Sequence, residues 1–397
     1  MAKIIGKWWL VVIVVLLVGV WVCGLKNMYF HQDDLDWFLM ANRPLWGVIV
    51  SPIGDHVNYV WRLLLKIEWD TFGFNFPGYY TVSVVLHALV IWWLYLVANV
   101  TSGRQDLAAS AALLFSVNTN WTETILWVSG QTILVTALFV LLAMYTVWQK
   151  KGETITLFLV SWTSGLALGL LGATYVTRRD KRWVAALILA IVAVIYYFLG
   201  TDGTRIEFGW RWAIQVVEVA WLMTINSVVG RLIIPFDRWE MARIWIVGML
   251  TVYGAWKWRG KLVGIWRDEW SRYLILQLVF YNLIVAVGRV QYGVGIMRAE
   301  RYTYLGLILL LLLAARVLRR WQWGKWAWVV AVIVILQVGG FYARARAYVV
   351  RPQQLRELVF EVKKVNPREI QPEAYLPHFV LNDERLRYSD LMSLINH

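Results

Sequence analysis

Residues 8–24 read WWLVVIVVLLVGVWVCG, an unbroken apolar run. A helix needs about 17–23 mostly apolar residues to cross a bilayer, so this run predicts a membrane span. Apolar residues make up 60% of the 397-residue chain, whereas a soluble domain has roughly 45–50%. Lys3 and Lys7 precede the run and no small-x-small cleavage site follows it, so we expect a retained first span rather than a signal peptide.

Further apolar runs predict an all-α polytopic membrane domain over residues 1–343. The predicted spans number about eleven and lie at 8–25, 79–99, 107–118, 131–148, 155–176, 183–199, 212–234, 243–256, 273–290, 303–318 and 326–343. After residue 343 charged residues become frequent. We therefore expect residues 344–397 to form a small tail outside the bilayer, with one short helix that presents Leu355, Leu358, Val359 and Val362 on one side.

Basic residues lie in short segments between these runs, and tryptophan lies at the ends of the runs. Cytoplasmic loops are enriched in Lys and Arg, so these segments and the N-terminus are predicted to be cytoplasmic. Residues 29–78 and the tail are then extracytoplasmic, in a membrane that we expect to be the bacterial inner membrane. The net charge of +14 and the 27 tryptophans have a membrane explanation, so nucleic acid is not an expected partner.

One basic loop disobeys this topology. Residues 178–182 contain Arg178, Arg179, Lys181 and Arg182, and they would be extracytoplasmic if every predicted span crossed the bilayer. An alternative is that residues 155–176, which contain three glycines, form two half-helices that turn back, with a compensating irregularity between 200 and 256. The sequence leaves both topologies open.

The first predicted external segment begins YFHQDDLDWF at residues 29–38 and contains Asp33, Asp34 and Asp36. At a membrane surface a carboxylate can accept a proton from a hydroxyl or hold a divalent cation. The alternative is that the three carboxylates only solvate a loop. Apolar residues at three- and four-residue spacing over 57–69 predict an amphipathic helix in the membrane plane in the same segment.

Two further polar clusters are predicted on the same membrane face. Glu123 lies in NTNWTETILWVSG, residues 118–130, and an ionisable group at the edge of a span marks a site unless it simply reaches the interface. Arg298 and Arg301 flank Glu300 just before the tenth predicted span. A guanidinium can donate two parallel hydrogen bonds to a phosphate, although either arginine could instead pair with Glu300.

The sequence lacks several motifs that are diagnostic of particular enzyme or metal-binding classes. It has no phosphate-binding Gly-x-x-x-x-Gly-Lys-Ser/Thr motif and no Gly-x-Ser-x-Gly motif. Its histidines do not form a zinc pattern, and it has a single cysteine. The predicted spans carry few ionisable residues, chiefly Glu218 and Arg231, which favours chemistry at the membrane surface over transport through the membrane.

Taken together, four stretches resemble the polytopic GT-C glycosyltransferases. They are Asp33-Asp34 after the first span, NFPGYY at 75–80 with LHAL at 86–89, AALLF at 111–115 with WTETILWVSG at 121–130, and ERYTYL at 300–305. These motifs are similar to those of the bacterial protein O-mannosyltransferase-like families and of the transmembrane tetratricopeptide-type mannosyltransferases. One departure is SWTSG at 161–165, where Ser-Lys-Glu is often found.

The resemblance implies an inverting, mannosyltransferase-like transfer of a hexose in the cell envelope. The donor would be a polyprenyl-phosphate-linked sugar, and transfer would take place at the extracytoplasmic face. The acceptor would be a hydroxyl of a glycan, lipid or protein. No tetratricopeptide repeats follow the membrane domain, so the resemblance itself does not imply a protein acceptor. It implies Asp33 as the general base with Asp34 as its neighbour in the motif, and it assigns no required cofactor. Glu123, because of its position at the edge of a span, is the third candidate catalytic residue. Arg301 and Arg298 are candidates for the donor phosphate.

Other roles stay open in the sequence. His56, Arg62 and Tyr302 are candidate substrate contacts, and a divalent cation held by Asp33, Asp34 and Asp36 is a further alternative. A lipid-linked glycan flippase or transporter, or an inactive scaffold of the same fold, would have the same apolar composition.

Overall fold

The computed structural model describes most of the N-terminal half of the chain and selected segments of the rest. Described are residues 2–50, 58–118, 121–149, 168–178, 210–225, 259–290, 301–320, 350–364 and 387–395, with the shorter pieces 159–160, 162–164, 188, 248–250, 252–254, 256–257, 330, 332–335 and 337. This part of the chain is helical and contains no β-strand. The expected all-α class is confirmed to that extent.

The first eight helices cover residues 2–149, and α2, α3 and α4 lie within the predicted external segment, residues 29–78. They are α1 Ala2–Asn27, α2 Gln32–Ala41, α3 Leu45–Val50, α4 Tyr59–Phe72, α5 Phe76–Ser102, α6 Gln105–Val117, α7 Thr122–Leu126 and α8 Gln131–Gln149. A 3-10 turn, Val128–Gly130, joins α7 to α8. The later helices are α9 Leu168–Arg178, α10 Trp210–Ile225, α11 Arg259–Arg267, α12 Glu269–Arg289, α13 Arg301–Val317, α14 Val350–Lys364 and α15 Tyr388–Ile395.

Four stretches of the described residues are helical, long and apolar enough to cross a bilayer: Trp9–Lys26, Phe76–Ser102, Val128–Gln149 and Glu269–Arg289. They agree with the predicted spans at 8–25, 79–99, 131–148 and 273–290. The predicted span at 183–199 and most of the one at 326–343 lie outside the described residues. The total of eleven therefore stays a prediction.

The helices run between two chemically different ends. The start of α5 lies against α4, where the Tyr79 hydroxyl donates to the Gly73 carbonyl at 3.0 Å. The other end of α5 lies about 40 Å away, because an α-helix rises 1.5 Å per residue, and there the Thr101 carbonyl accepts from Arg316 at 2.6 Å. We call the first the acidic end, since α2 lies there, and the second the basic end.

Asp268 connects α12 to α13 at the basic end. It precedes α12 and accepts from the Ser271 backbone N–H at 3.0 Å, which satisfies one free donor of the first helical turn. Its carboxylate also accepts from Arg316 of α13 at 3.0 and 2.7 Å and from Arg319 at 3.5 Å. The hydrogen bond from Arg316 is the main cause that holds the pKa of Asp268 well below its usual range.

We expect Asp268→Asn to destabilise the protein. The substitution removes a charged cap and leaves Arg316 beside a neutral amide, which should cost about 2 kcal/mol. Because the pKa of Asp268 is depressed by folding, its contribution is present above roughly pH 4 and is lost as the pH falls below it. Thermal unfolding at a series of pH values from 7 down to 2 measures both effects, with the exposed neighbour variant Glu269→Gln as control. Equal melting temperatures for Asp268→Asn and native protein at pH 7 would contradict the assignment.

The direction of α9 shows at which end of the bundle the basic loop 178–182 begins. A Cβ on Gly169 would lie 3.0 Å from the Tyr281 backbone nitrogen of α12, and Thr174 donates to the Tyr273 hydroxyl at 3.3 Å. The residue pairs 169 with 281 and 174 with 273 make α9 antiparallel to α12. Since α12 begins at the basic end, α9 also ends there, at Arg178.

A turn at the acidic end precedes α9. The backbone nitrogen of Val60 donates to the Trp162 carbonyl at 3.4 Å, and the Tyr59 and Trp162 rings lie 5.5 Å apart. Residues near 162 are thus at the acidic end, and the chain returns from there toward the basic end through α9. The direction of α9 is the one that the turn-back alternative gives to the second half of 155–176, whereas residues 155–158, 161 and 165–167 lie outside the described residues. Arg179, Lys181 and Arg182 themselves lie outside the described residues.

Helix α4 confirms the amphipathic helix expected at 57–69. Its inner face carries Glu68, which is buried and accepts from the Gln131 amide of α8 at 3.0 Å. The same amide nitrogen donates to the Ser83 hydroxyl of α5 at 3.1 Å, and the Gln131 oxygen accepts from the Trp61 indole at 3.2 Å. Burial raises the pKa of Glu68 to about 8, although the bond from Gln131 acts in the opposite direction.

The tail packs at the acidic end. The predicted tail helix is α14, in which Leu355, Leu358, Val359 and Val362 are all buried. Helix α14 packs against α15, and α15 packs against α2. Burial raises the pKa of Tyr29 to about 12, and the charge of Arg356 in α14 opposes that rise. The described part of the tail therefore covers the acidic stretch.

Candidate functional site

The acidic stretch begins a helix and is not the loop that its charge suggested. Helix α2 starts at Gln32 with His31 as its N-cap. Asp34, in the first turn, accepts from the His31 backbone N–H at 2.8 Å. A carboxylate in the first turn compensates the free N–H groups and the positive end of the helix dipole. The aspartates therefore help to form the helix that carries them.

Asp34 also joins α2 to the corner between α7 and α8. Its second oxygen accepts from the Ser129 backbone N–H at 3.0 Å, and the residue is 0% exposed. Both oxygens of Asp34 thus hold main chain in place. The preceding residue, Asp33, is the second residue of α2.

Asp36 is exposed, whereas Asp34 is buried. Positions two apart on a helix point about 200° apart. One cation therefore cannot be held by Asp34 and Asp36 together while α2 is intact, which corrects that part of the proposed three-carboxylate cation site. Within the described residues no group of three metal-ligating side chains occurs.

Glu123 and Arg301 form an ion pair across the bundle. Glu123 in α7 is 7% exposed, and its Oε1 lies 3.3 Å from Nη1 of Arg301, the first residue of α13. Its other oxygen accepts from the Arg301 backbone N–H at 3.3 Å. Glu123 therefore fixes both the start of α13 and the direction of the guanidinium.

Trp127 contacts both His31, the N-cap of α2, and Arg301 of the ion pair. The Arg301 guanidinium carbon lies 4.6 Å from the Trp127 ring centroid, a distance at which a cation is attracted to the ring. The His31 ring lies 5.0 Å from the same indole. Trp127 is two residues before Ser129, the partner of Asp34. The structure thus brings Asp34, Glu123 and Arg301 together around one tryptophan.

The corner that carries Trp127 has a strict steric requirement. The Gly130 backbone nitrogen donates to the Trp127 carbonyl at 3.0 Å. A Cβ on Gly130 would lie 2.3 Å from the Thr124 carbonyl oxygen. No larger residue fits at position 130 unless the backbone moves.

No family of known proteins, no curated protein and no solved structure matches this chain. The resemblance to GT-C glycosyltransferases therefore rests on the residues quoted from the sequence, and the site has to be judged by its own geometry.

The other candidate residues have different positions. Arg62 is not placed to meet a substrate, because it is 0% exposed, donates to Asn58 Oδ1 at 2.8 Å and lies 5.9 Å from the Trp37 ring. Tyr302 is buried beside Arg301, with its ring 5.2 Å from the guanidinium carbon. His56 and Arg298, as well as Glu300, lie outside the described residues.

The sequence did not assign roles to three residues of this site. Trp127, His31 and Gly130 all occur in the quoted stretches, but tryptophan near a span end is expected as an interfacial residue. The only available signal was the spacing of His31 and Asp34, which matches an N-cap and the third position of a helix.

A buried polar pair lies next to the site. His87 Nδ1 and the Tyr304 hydroxyl are 2.8 Å apart, and this contact joins α5 to α13 one turn beyond Arg301.

Proposed function

We propose that this chain is an inverting glycosyltransferase of the GT-C type that uses a polyprenyl-phosphate-linked sugar. One observation carries the proposal: the first turn of α2, with Asp33, and the Glu123–Arg301 pair meet around Trp127 at one end of a membrane bundle. That end provides both a carboxylate for a hydroxyl proton and a cation for a phosphate.

In the proposed reaction an acceptor hydroxyl attacks the anomeric carbon of the donor. Asp33 takes the hydroxyl proton as the new carbon–oxygen bond forms and the bond to the phosphate oxygen breaks. A positioned base contributes about 10²–10⁴-fold to such a step. Polyprenyl phosphate leaves with the electron pair, and its charge is stabilised by Arg301, together with Arg298 as a second candidate.

Asp34 and Glu123 have positioning roles in this proposal. Asp34 uses both carboxylate oxygens to hold backbone N–H groups, and Glu123 directs Arg301. A carboxylate that already accepts two N–H bonds is a poorer proton acceptor. We therefore prefer Asp33 to Asp34 as the base.

The membrane orientation belongs to the same proposal. Asp268, Arg316 and the end of α9 lie opposite the site, and the sequence places most short basic segments near them. By the positive-inside rule that end is cytoplasmic, so the site faces the extracytoplasmic side, in a bacterial inner membrane.

Purified protein in liposomes tests the reaction class. Radiolabelled polyprenyl-phosphate mannose or glucose is supplied with a membrane lipid extract as the acceptor source. We expect release of free polyprenyl phosphate and the appearance of a new glycosidic product. Movement of the intact donor lipid across the bilayer without release would support the flippase alternative and contradict the proposal.

Arg301 offers a graded test of the phosphate contact. We expect Arg301→Gln to lower turnover about 100-fold, a typical effect of losing one donor to a developing charge. Arg301→Lys should recover only part of this loss, because lysine keeps the charge but not the planar fork over Trp127. Turnover and donor KM measured for both variants check the prediction, with Arg43→Gln, an exposed arginine that follows α2, as control. Equal turnover of the lysine variant and native protein would show that the fork geometry is unimportant.

A further inference from the structure

Most residues of helix α11 at the basic end are exposed. The helix begins at Arg259, ends at Arg267 and packs against the start of α12. Three large apolar side chains are nevertheless exposed: Leu262 at 42%, Val263 at 52% and Trp266 at 47%. Their spacing of one, three and four residues places them on one side of the helix. An apolar side of this kind is stable against an apolar medium.

The depth of α11 follows from its neighbours. Asp268 separates α11 from the spanning helix α12 and is bound to Arg316, so α11 is held at the end of a membrane span. At the same level the rings of Trp148, in the last turn of α8, and Trp270, in the first turn of α12, lie 4.1 Å apart. Tryptophans at span ends are typical of the headgroup region. Helix α11 is thus level with the lipid headgroups.

The charge of this segment points to the chemistry of its partner. From Lys257 to Arg267 the sequence has four basic residues and no acidic residue. The next carboxylate, Asp268, is already paired with Arg316 and Arg319. Three of the four basic residues lie in α11 and Lys257 lies just before it. Positive charges on a helix at headgroup depth attract anionic lipids.

We propose that α11 lies in the membrane plane at the basic end and binds the headgroups of anionic phospholipids. Leu262, Val263 and Trp266 enter the acyl boundary. Lys257 and Arg267 contact the phosphates, and so does Arg259, whose long side chain extends from the apolar side of α11 to the headgroups. The inference is independent of the glycosyltransferase proposal, because it uses neither the site residues nor the donor.

The charge arm of the test compares two variants of the full chain in nanodiscs of phosphatidylcholine with phosphatidylglycerol. One variant combines Lys257→Gln, Arg259→Gln and Arg267→Gln. The matched control, at the acidic end, combines Lys26→Gln, Arg43→Gln and Lys66→Gln. Electron paramagnetic resonance of spin-labelled lipids measures the preference for phosphatidylglycerol over phosphatidylcholine. We expect this preference to fall on the order of fivefold per charge removed from residues 257–267 and to persist in the control. An unchanged preference in the α11 variant would overturn the proposal.

The depth arm uses single-cysteine chains in a Cys23→Ser background. A fluorophore at Leu262→Cys should be quenched by lipids with a spin label near the headgroup. One at Gly264→Cys, on the opposite side of α11 where the structure has open space, should be quenched by iodide from water. If iodide quenches both positions equally, α11 lies in water and its apolar side belongs to a protein contact instead.

Discussion

Asp33→Asn is expected to abolish sugar transfer while the protein stays folded. The substitution keeps the size of the side chain but removes the carboxylate that would take the acceptor proton, so turnover should fall by about 10²–10⁴-fold. Asp33 is the second residue of α2, and the hydrogen bonds that fix this helix to the rest of the site come from Asp34. We therefore expect a melting temperature close to that of native protein.

Two matched variants make this result specific. Asp36→Asn removes an equal charge from the exposed side of α2 and should leave turnover nearly unchanged. Asp34→Asn should lower both turnover and the melting temperature, because it weakens the bonds to His31 and Ser129. Release of polyprenyl phosphate and thermal unfolding are measured on each variant. Retained transfer in Asp33→Asn would remove this residue as the base.

Glu68→Gln is expected to stabilise the protein at alkaline pH. Burial raises the pKa of Glu68 from its usual 4.5 to about 8, so the fold disfavours the charged carboxylate. The contribution of Glu68 to native stability should be greatest below about pH 4.5, fall as the pH rises to about 8, and stay level above it. Glutamine keeps an oxygen for the Gln131 amide but never ionises. At pH 8 and above the gain should be on the order of 4 kcal/mol, since one pKa unit corresponds to about 1.4 kcal/mol.

Melting temperatures between pH 5 and pH 9 check this prediction. The native curve should decline over that range, and the Glu68→Gln curve should be flatter and higher at the alkaline end. Glu357→Gln, which changes an exposed glutamate of α14, is the control and should follow the native curve. Parallel curves for native protein and Glu68→Gln would mean that Glu68 does not titrate in the fold.

Local patterns predicted the long helices well. The apolar runs at 79–99 and 131–148 correspond to α5 at Phe76–Ser102 and α8 at Gln131–Gln149. The three- and four-residue spacing at 57–69 likewise corresponds to α4. In each case the signal lies in consecutive residues, because a helix buries one side or meets lipid along its own length.

The site itself depends on contacts that no local pattern contains. Glu123 and Arg301 are 178 positions apart, and the sequence offered Glu300, the adjacent residue, as an equally good partner for the arginine. The turn near Trp162 is similar, since it is fixed by packing against Tyr59 of α4. Placing both at one end of the bundle required the directions of α9, α12 and α13, which only the folded helices give.

The corner at Ser129 and Gly130 has a consequence for divergence. Asp34 binds the backbone N–H at position 129, so mutation could replace the serine side chain freely. Position 130 has no such freedom, because the Thr124 carbonyl occupies the space that any Cβ needs. A remote homologue with this corner should thus keep glycine at 130 and an acceptor at 34 while position 129 drifts. Glycine at position 130 together with an acceptor at position 34, but a variable residue at position 129, is therefore a criterion for recognising homologues of low overall sequence similarity.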